Sequence, residues 1–120
     1  MASSLTQEVG RALGKGHIFV EKGAGGLALR RGFQIRSGEK FIVAENVVTR
    51  GGRMQQTIDI VRARGGVVTA VGVIVGRSGA NKPGFGCPFV SLIRLDMSTF
   101  DANNLPQDLF SIPAVKPGSS

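Results

Sequence analysis

Apolar residues recur along this chain at two spacings, one helical and one alternating, and glycines mark the changes between them. Leu5, Val9, Ala12 and Leu13 fall at helical spacing, which predicts a short amphipathic helix over 5–13 with Ser4 as N-cap and Gly14 and Gly16 as the stop. His17-Ile18-Phe19-Val20-Glu21 has the β-branched and aromatic content of a strand, ending in Lys22 and the flexible tip Gly23-Ala24-Gly25-Gly26. Such a tip is either a plain turn or a mobile lid. Leu27, Leu29, Phe33 and Ile35 then alternate with Arg30, Arg31, Gln34 and Arg36, the pattern of a hairpin partly exposed on one face, before Ser37-Gly38-Glu39-Lys40 turns the chain.

The centre of the sequence is Phe41-Ile42-Val43-Ala44-Glu45-Asn46-Val47-Val48-Thr49-Arg50-Gly51-Gly52-Arg53. Its apolar β-forming run carries Glu45 and Asn46 at the strand's end, and Thr49 to Gly52 make a glycine turn. Met54, Ile58 and Val61 follow at i, i+4 and i+7, predicting a helix over 53–64 that Gly65-Gly66 terminates. Val67 to Val75 is nearly continuous β-former, as in a strand buried on both faces. The unit spanning 40–75 is therefore a βαβ crossover, right-handed by the general rule, in a sheet that is at least partly parallel. A polar loop over 76–84 leads to a last strand, Phe89 to Leu95. From Asp96 on, turn formers and three prolines predict an irregular strap with a frayed end.

Length and composition add a frame: 120 residues make a single domain with one modest core, 1–4 and 117–120 being its frayed ends. Charge says more. Residues 1–94 hold fourteen Lys and Arg against five Asp and Glu, while 95–120 hold one against three, and the net charge is +7. That balance suits phosphate ligands, nucleic acid or an acidic protein surface, and equally a well-solvated basic exterior. Cys87, the only cysteine, has no partner for an internal disulfide, which favours a reducing compartment. The first residues lack the basic and apolar regions of a leader, and no run of eighteen apolar residues occurs. A cytoplasmic protein without a membrane segment is expected, organellar import being the minor alternative.

Candidate chemistry concentrates at the glycine turn. Gly51 and Gly52 let the backbone approach an anion, Thr49 offers a hydroxyl, and Arg50 and Arg53 add positive charge at the helix start. The competing reading is an ordinary strand-to-helix turn. Glu45 and Asn46 suit sugar hydroxyls, or else cap nearby backbone. One histidine, His17, without ligand-type spacing argues against a metal centre, and Cys87 between Gly86 and Pro88 has no base nearby in sequence. Without Trp or Tyr, base stacking has little to work with, although RNA binding through the backbone stays open.

The run from Phe41 to Arg53 resembles the phosphoribosyl pyrophosphate (PRPP) motif of type I phosphoribosyltransferases: a hydrophobic strand, two acidic residues, two hydrophobics, then Thr-Thr/Ala-Gly-Gly-Ser/Thr. Leu29-Arg30-Arg31-Gly32-Phe33, Val73-Ile74-Val75-Gly76-Arg77-Ser78-Gly79 and Ile112-Pro113-Ala114-Val115-Lys116-Pro117-Gly118 resemble segments of one branch, orotate phosphoribosyltransferase, in matching order. The resemblance covers about residues 5–119. It implies an α/β, Rossmann-like core with a mostly parallel sheet and flanking helices. It further implies that Glu45 binds ribose hydroxyls and that Thr49, Gly51 and Gly52 cradle the 5′-phosphate. Lys22 would bind PRPP, and Thr49 and Arg77 would face orotate. The reaction implied is Mg²⁺-dependent transfer of phosphoribosyl from PRPP to orotate, in pyrimidine nucleotide biosynthesis.

Four positions depart from that pattern. Asn46 replaces the second acidic residue at the catalytic pair, Arg50 the second Thr or Ala, Arg53 the Ser or Thr, and Gly76 the Asp usually found before Arg77. Losing a carboxylate that stabilises a cationic ribosyl centre should cost catalysis more than binding. The resemblance also implies that the family's N-terminal hood and first core strand would precede residue 5, so that 1–120 forms a partial domain with an apolar sheet edge. A homodimer or a complementing chain is the expected partner. The leading expectation is a sugar-phosphate-binding domain with weak or lost transferase activity; the alternative is a non-catalytic structural or RNA-associated protein reusing the fold.

Overall fold

A computed structural model describes residues 3–30, 32–79 and 82–118. Arg31 of the expected hairpin, Ala80 and Asn81 of the 76–84 loop, and residues 1, 2, 119 and 120 of the expected frayed ends lie outside the described residues. Helix α1 spans Ser3–Leu13, strands β1 and β2 span Val20–Gly23 and Gly26–Leu29, and β3 spans Lys40–Val48. Helix α2 (Gly52–Ala63), β4 (Val67–Gly76), β5 (Phe89–Arg94) and a short 3₁₀ turn (Gln107–Leu109) complete the order. Strands β3, β4 and β5 form one parallel sheet in that order, while β1 and β2 pair antiparallel in a sheet of their own.

The β3–α2–β4 unit follows the sequence periodicities closely. Met54, Ile58 and Val61 are the buried residues of α2, and they pack with Val43, Val68, Val71 and Val73 into the core, where Ile58 has 0% exposure. The helix ends in a Schellman motif: Gly65 takes φ 85°, its N–H donates to Arg62 O at 3.0 Å, and Gly66 N–H donates to Val61 O at 3.0 Å. A register shift at Phe41/Ile42 leaves Thr69 unpaired, and its hydroxyl bridges the gap by donating to Phe41 O at 3.0 Å.

Three expectations need correction. Residues 33–36 are not strand: Gly32 turns at φ 91°, Phe33 N–H donates to Arg30 O, and Phe33 packs edge-on against Phe19 with centroids 5.3 Å apart. Ile35 instead joins the core cluster. The first strand lies at Val20–Gly23 rather than 17–21, because its partner β2 is short and the two-residue turn Ala24-Gly25 fixes the register. Ser4 lies inside α1 rather than capping it. Helix α1 does stop at Gly14 (φ 63°), where Lys15 N–H donates to Gly10 O at 2.8 Å.

Strand β4 is buried on its α2 side and only half-buried at Ala70, Gly72 and Ile74 on the other. The same outer side of β5 carries Val90 and Leu92, which are 59% and 79% exposed. Residues 95–118 form no strand, and Leu105, Pro106 and Leu109 are their half-buried members. Because Ile58 sits at the centre of a core of nine buried residues, Ile58→Ala should lose about 2–5 kcal/mol, measured by urea denaturation. A loss under about 1 kcal/mol would mean that α2 does not organise this core.

Candidate functional site

A parallel sheet brings the carboxyl ends of its strands to one edge, and backbone bonds continue the alignment past the strands here. Arg77 N–H donates to Val48 O at 2.7 Å, and Leu95 N–H donates to Gly76 O at 2.9 Å. Thr49 and Arg77, assigned to one ligand by resemblance, therefore stand just beyond neighbouring strand ends. Arg77 is half-buried, with its Nε shielded from solvent and without a hydrogen-bond partner among the described residues.

The glycine turn divides its two residues between structure and access. Gly51 takes φ 85° as the N-cap of α2, and it is buried: a Cβ there would meet Pro83 Cβ at 2.9 Å and Phe85 Cζ at 3.0 Å. Gly52 is exposed, and a Cβ on it would meet nothing within 4 Å. The first helical bond is Gln55 N–H to Gly51 O at 2.8 Å, and no side chain caps the helix. The amides of Gly52, Arg53 and Met54 thus belong to an open helix start, where the helix dipole and the exposed Arg50 and Arg53 favour an anion.

A second group lines a cleft of about 640 Å³ between β3 and the β1–β2 hairpin. Lys22, Glu45 and Arg53 all contribute to its wall. Glu45 is half-buried, and its Oε1 accepts the backbone N–H of Asn46 at 3.0 Å, which commits one lone pair of the carboxylate locally. The turn residues Thr49, Arg50, Gly51 and Gly52 do not line this cleft. Eight of the nine candidates therefore fall into two neighbouring groups, with Arg53 following the turn in sequence while facing the cleft, and Asn46 is half-buried within β3 and lines neither.

Sequence reasoning missed the residues that hold the turn. Pro83 and Phe85 press on Gly51, and Arg62 Nη2 donates to Phe85 O at 3.0 Å, tying loop and helix together. Only the apolar Phe85 in an otherwise polar loop hinted at this. Among the described residues no group of three His, Cys, Asp or Glu side chains could hold a metal ion, and no helix is long and apolar enough to cross a membrane.

Parallel strands around a βαβ unit, with a glycine turn beyond the first strand's carboxyl end, define a class: the Rossmann-like α/β core. The crystal structure of orotate phosphoribosyltransferase from Aeropyrum pernix shares this fold, with a TM-score of 0.56 and 22% identity, over 74% of this chain and 52% of that one. In sequence the chain is similar to orotate phosphoribosyltransferase from Caldanaerobacter subterraneus, with 44% identity over 115 residues, 96% of this chain and 60% of that protein. The orotate phosphoribosyltransferases of Rhizorhabdus wittichii and Thermotoga petrophila match at 46% over 112 residues and 44% over 115. They extend over 93% and 96% of this chain, and 57% and 61% of those proteins. No protein-family model matches. The resemblance read from the sequence thus holds over nearly the whole chain, which spans about three fifths of the length of these curated relatives.

The two glycines should respond oppositely to a methyl group. Gly51→Ala forces a left-handed residue and a clash, and should destabilise the fold by about 1–2 kcal/mol or more in thermal or urea unfolding. Gly52→Ala should leave stability unchanged or slightly raised, since nothing crowds it and alanine favours the helix. Equal losses at both positions would contradict this division of roles.

Proposed function

We propose that this chain is an orotate-phosphoribosyltransferase-like domain of pyrimidine nucleotide biosynthesis that binds PRPP, or its ribose 5-phosphate part, with weak or lost catalysis. The observation that carries the reading is the uncapped start of α2 at Gly52, open to solvent and placed where β3 ends. The 5′-phosphate would lie against the amides of Gly52 and Arg53, with Thr49 and Arg50 beside it. Glu45 would accept hydrogen bonds from the ribose hydroxyls, and Lys22 and Arg53, on the same cleft, would neutralise pyrophosphate oxygens. Arg77, whose Nε lacks a partner among the described residues, would pair with the carboxylate of orotate. Mg²⁺ enters this scheme with PRPP, as the counterion of the substrate.

Transfer of the phosphoribosyl group develops positive charge at the sugar. Of the pair that β3 carries inside its ladder, before Val47 and Val48 rather than at the strand's end as expected, Glu45 is the carboxylate and already accepts the Asn46 N–H, while Asn46 brings a neutral amide. An amide supplies a dipole where a second negative charge would stabilise the cation, so binding outlasts turnover. A homodimer or a complementing chain is the assembly this reading expects, in the reducing cytoplasm that a lone Cys87 suits.

Calorimetric titration with PRPP and Mg²⁺, with orotate, and with a short RNA tests the proposal. PRPP should bind without measurable product, and Arg50→Ala should weaken it up to about fivefold, as expected for an exposed charge pair worth about 1 kcal/mol or less. Turnover by the chain alone would overturn the loss of catalysis. Salt-sensitive RNA binding without a PRPP response would favour the nucleic-acid alternative. Asn46→Asp should raise turnover in an assay complemented with the remaining part of a relative.

A further inference from the structure

A second cleft, of about 300 Å³, opens where β4 and β5 end. In an open parallel sheet this is the edge at which ligands settle, and the volume is at the small end of ligand sites. None of the nine candidate residues lines it. Its charged walls are Lys82 from the loop after β4, Arg94 at the end of β5, and Asp96 just beyond. All three are exposed, and among the described residues their side chains form no ion pair or hydrogen bond, with one another or with any other group.

Two glycines make the room. Gly76 is buried, and a Cβ on it would meet Ser91 Cβ at 3.2 Å and Oγ at 3.3 Å, so the Ser91 side chain lies against bare backbone. Gly79 takes φ 57°, and a Cβ on it would meet Asp96 Oδ1 at 2.8 Å, so that carboxylate is seated on the loop. Gly76 is one of the four departures from the resembled pattern, and here it has a spatial consequence. An aspartate at 76 would have to push Ser91 aside and would bring a further negative charge to the cleft.

We propose that this second cleft binds an acidic amino acid, a ligand with two carboxylates and one ammonium. The charges match one for one: Lys82 and Arg94 each take a carboxylate, and Asp96 accepts hydrogen bonds from the ammonium. The hydroxyls of Ser78 and Ser91, both half-buried in the wall, donate to the remaining carboxylate oxygens, and Phe89 and Leu95 give apolar contact to the short methylene chain. A phosphate monoester would use the two cations and set its own charge against Asp96, which selects against it. Because Asp96 pairs with neither cation in the free protein, no internal ion pair has to break before the ligand enters. This inference does not rest on the sugar-phosphate reading, whose residues lie outside the cleft.

The test is an amide chemical-shift titration of the ¹⁵N-labelled 120-residue protein with L-aspartate and L-glutamate at constant ionic strength. The tighter of the two should move the amides of Ser78, Gly79, Arg94 and Asp96 most and saturate within about 10 mM, as fits a small ligand held by a few exposed charges. The dicarboxylate lacking its ammonium (succinate or glutarate) and its side-chain amide (L-asparagine or L-glutamine) should each bind about two- to fivefold more weakly, the factor for one exposed ion pair. Asp96→Asn should equalise the amino acid and its dicarboxylate, and Lys82→Ala should weaken both. These two side chains are exposed, so an unchanged amide pattern in the β3–β4 ladder verifies that each variant is folded. Four results would overturn the proposal: no saturable shift at the ends of β4 and β5, equal binding of the dicarboxylate by the unaltered protein, a preference that survives Asp96→Asn, or the same amides moved as strongly by ribose 5-phosphate. The start of α2 takes no part, so failure here leaves the sugar-phosphate reading to its own titration.

Discussion

The left-handed turn at Gly51 is the constraint on which the rest depends. One residue there, three positions after β3 ends, starts α2 and forms the seat on which Pro83 and Phe85 rest. Only glycine combines φ 85° with contacts that close. Arg62, eleven residues further on in α2, reaches back to Phe85 O and fixes the same loop a second time. The open amides of α2 are therefore aimed from a rigid base at the edge where β3 and β4 end. Arg77 is delivered to that edge by its own backbone bond to Val48.

The electrostatics at this edge differ from those of an acidic sugar-binding site. Lys22 and Arg53 share the cleft with Glu45, Arg50 stands in the turn before α2 and Arg77 beyond β4, and the helix start adds its partial positive charge. Such a field favours polyanions in the ground state. It contributes much less to a cationic transition state, for which a second carboxylate in place of Asn46 would act directly. On the proposed reading, the separation between binding and catalysis comes down to the sign of charge at two or three positions.

The βαβ unit was legible in the sequence because local periodicity and tertiary burial agree there. Met54, Ile58 and Val61 repeat every turn and are the residues that α2 buries, and Gly65-Gly66 stops the helix as its spacing requires. The glycine turn was legible because Gly51 and Gly52 sit where the strand period stops and the helical one begins. Residues 33–36 misled because their alternation is real but serves two different partners: Phe33 goes to Phe19, Ile35 to the core, and Gly32 breaks the strand before either. The support of Gly51 by Pro83 and Phe85 joins residues more than thirty positions apart, and nothing local encodes it. The division of the candidates between the turn and the cleft likewise depends on where the hairpin sits, which no strand pattern specifies.

The central claim is that an anion neutralises the start of α2, and amide chemical shifts report on it residue by residue. Titrating ¹⁵N-labelled protein with ribose 5-phosphate should move the Gly52, Arg53 and Met54 amides most, with Thr49 next and the β5 amides unmoved. Shifts absent from the start of α2, or larger on the basic surface elsewhere than at Gly52, would contradict the account.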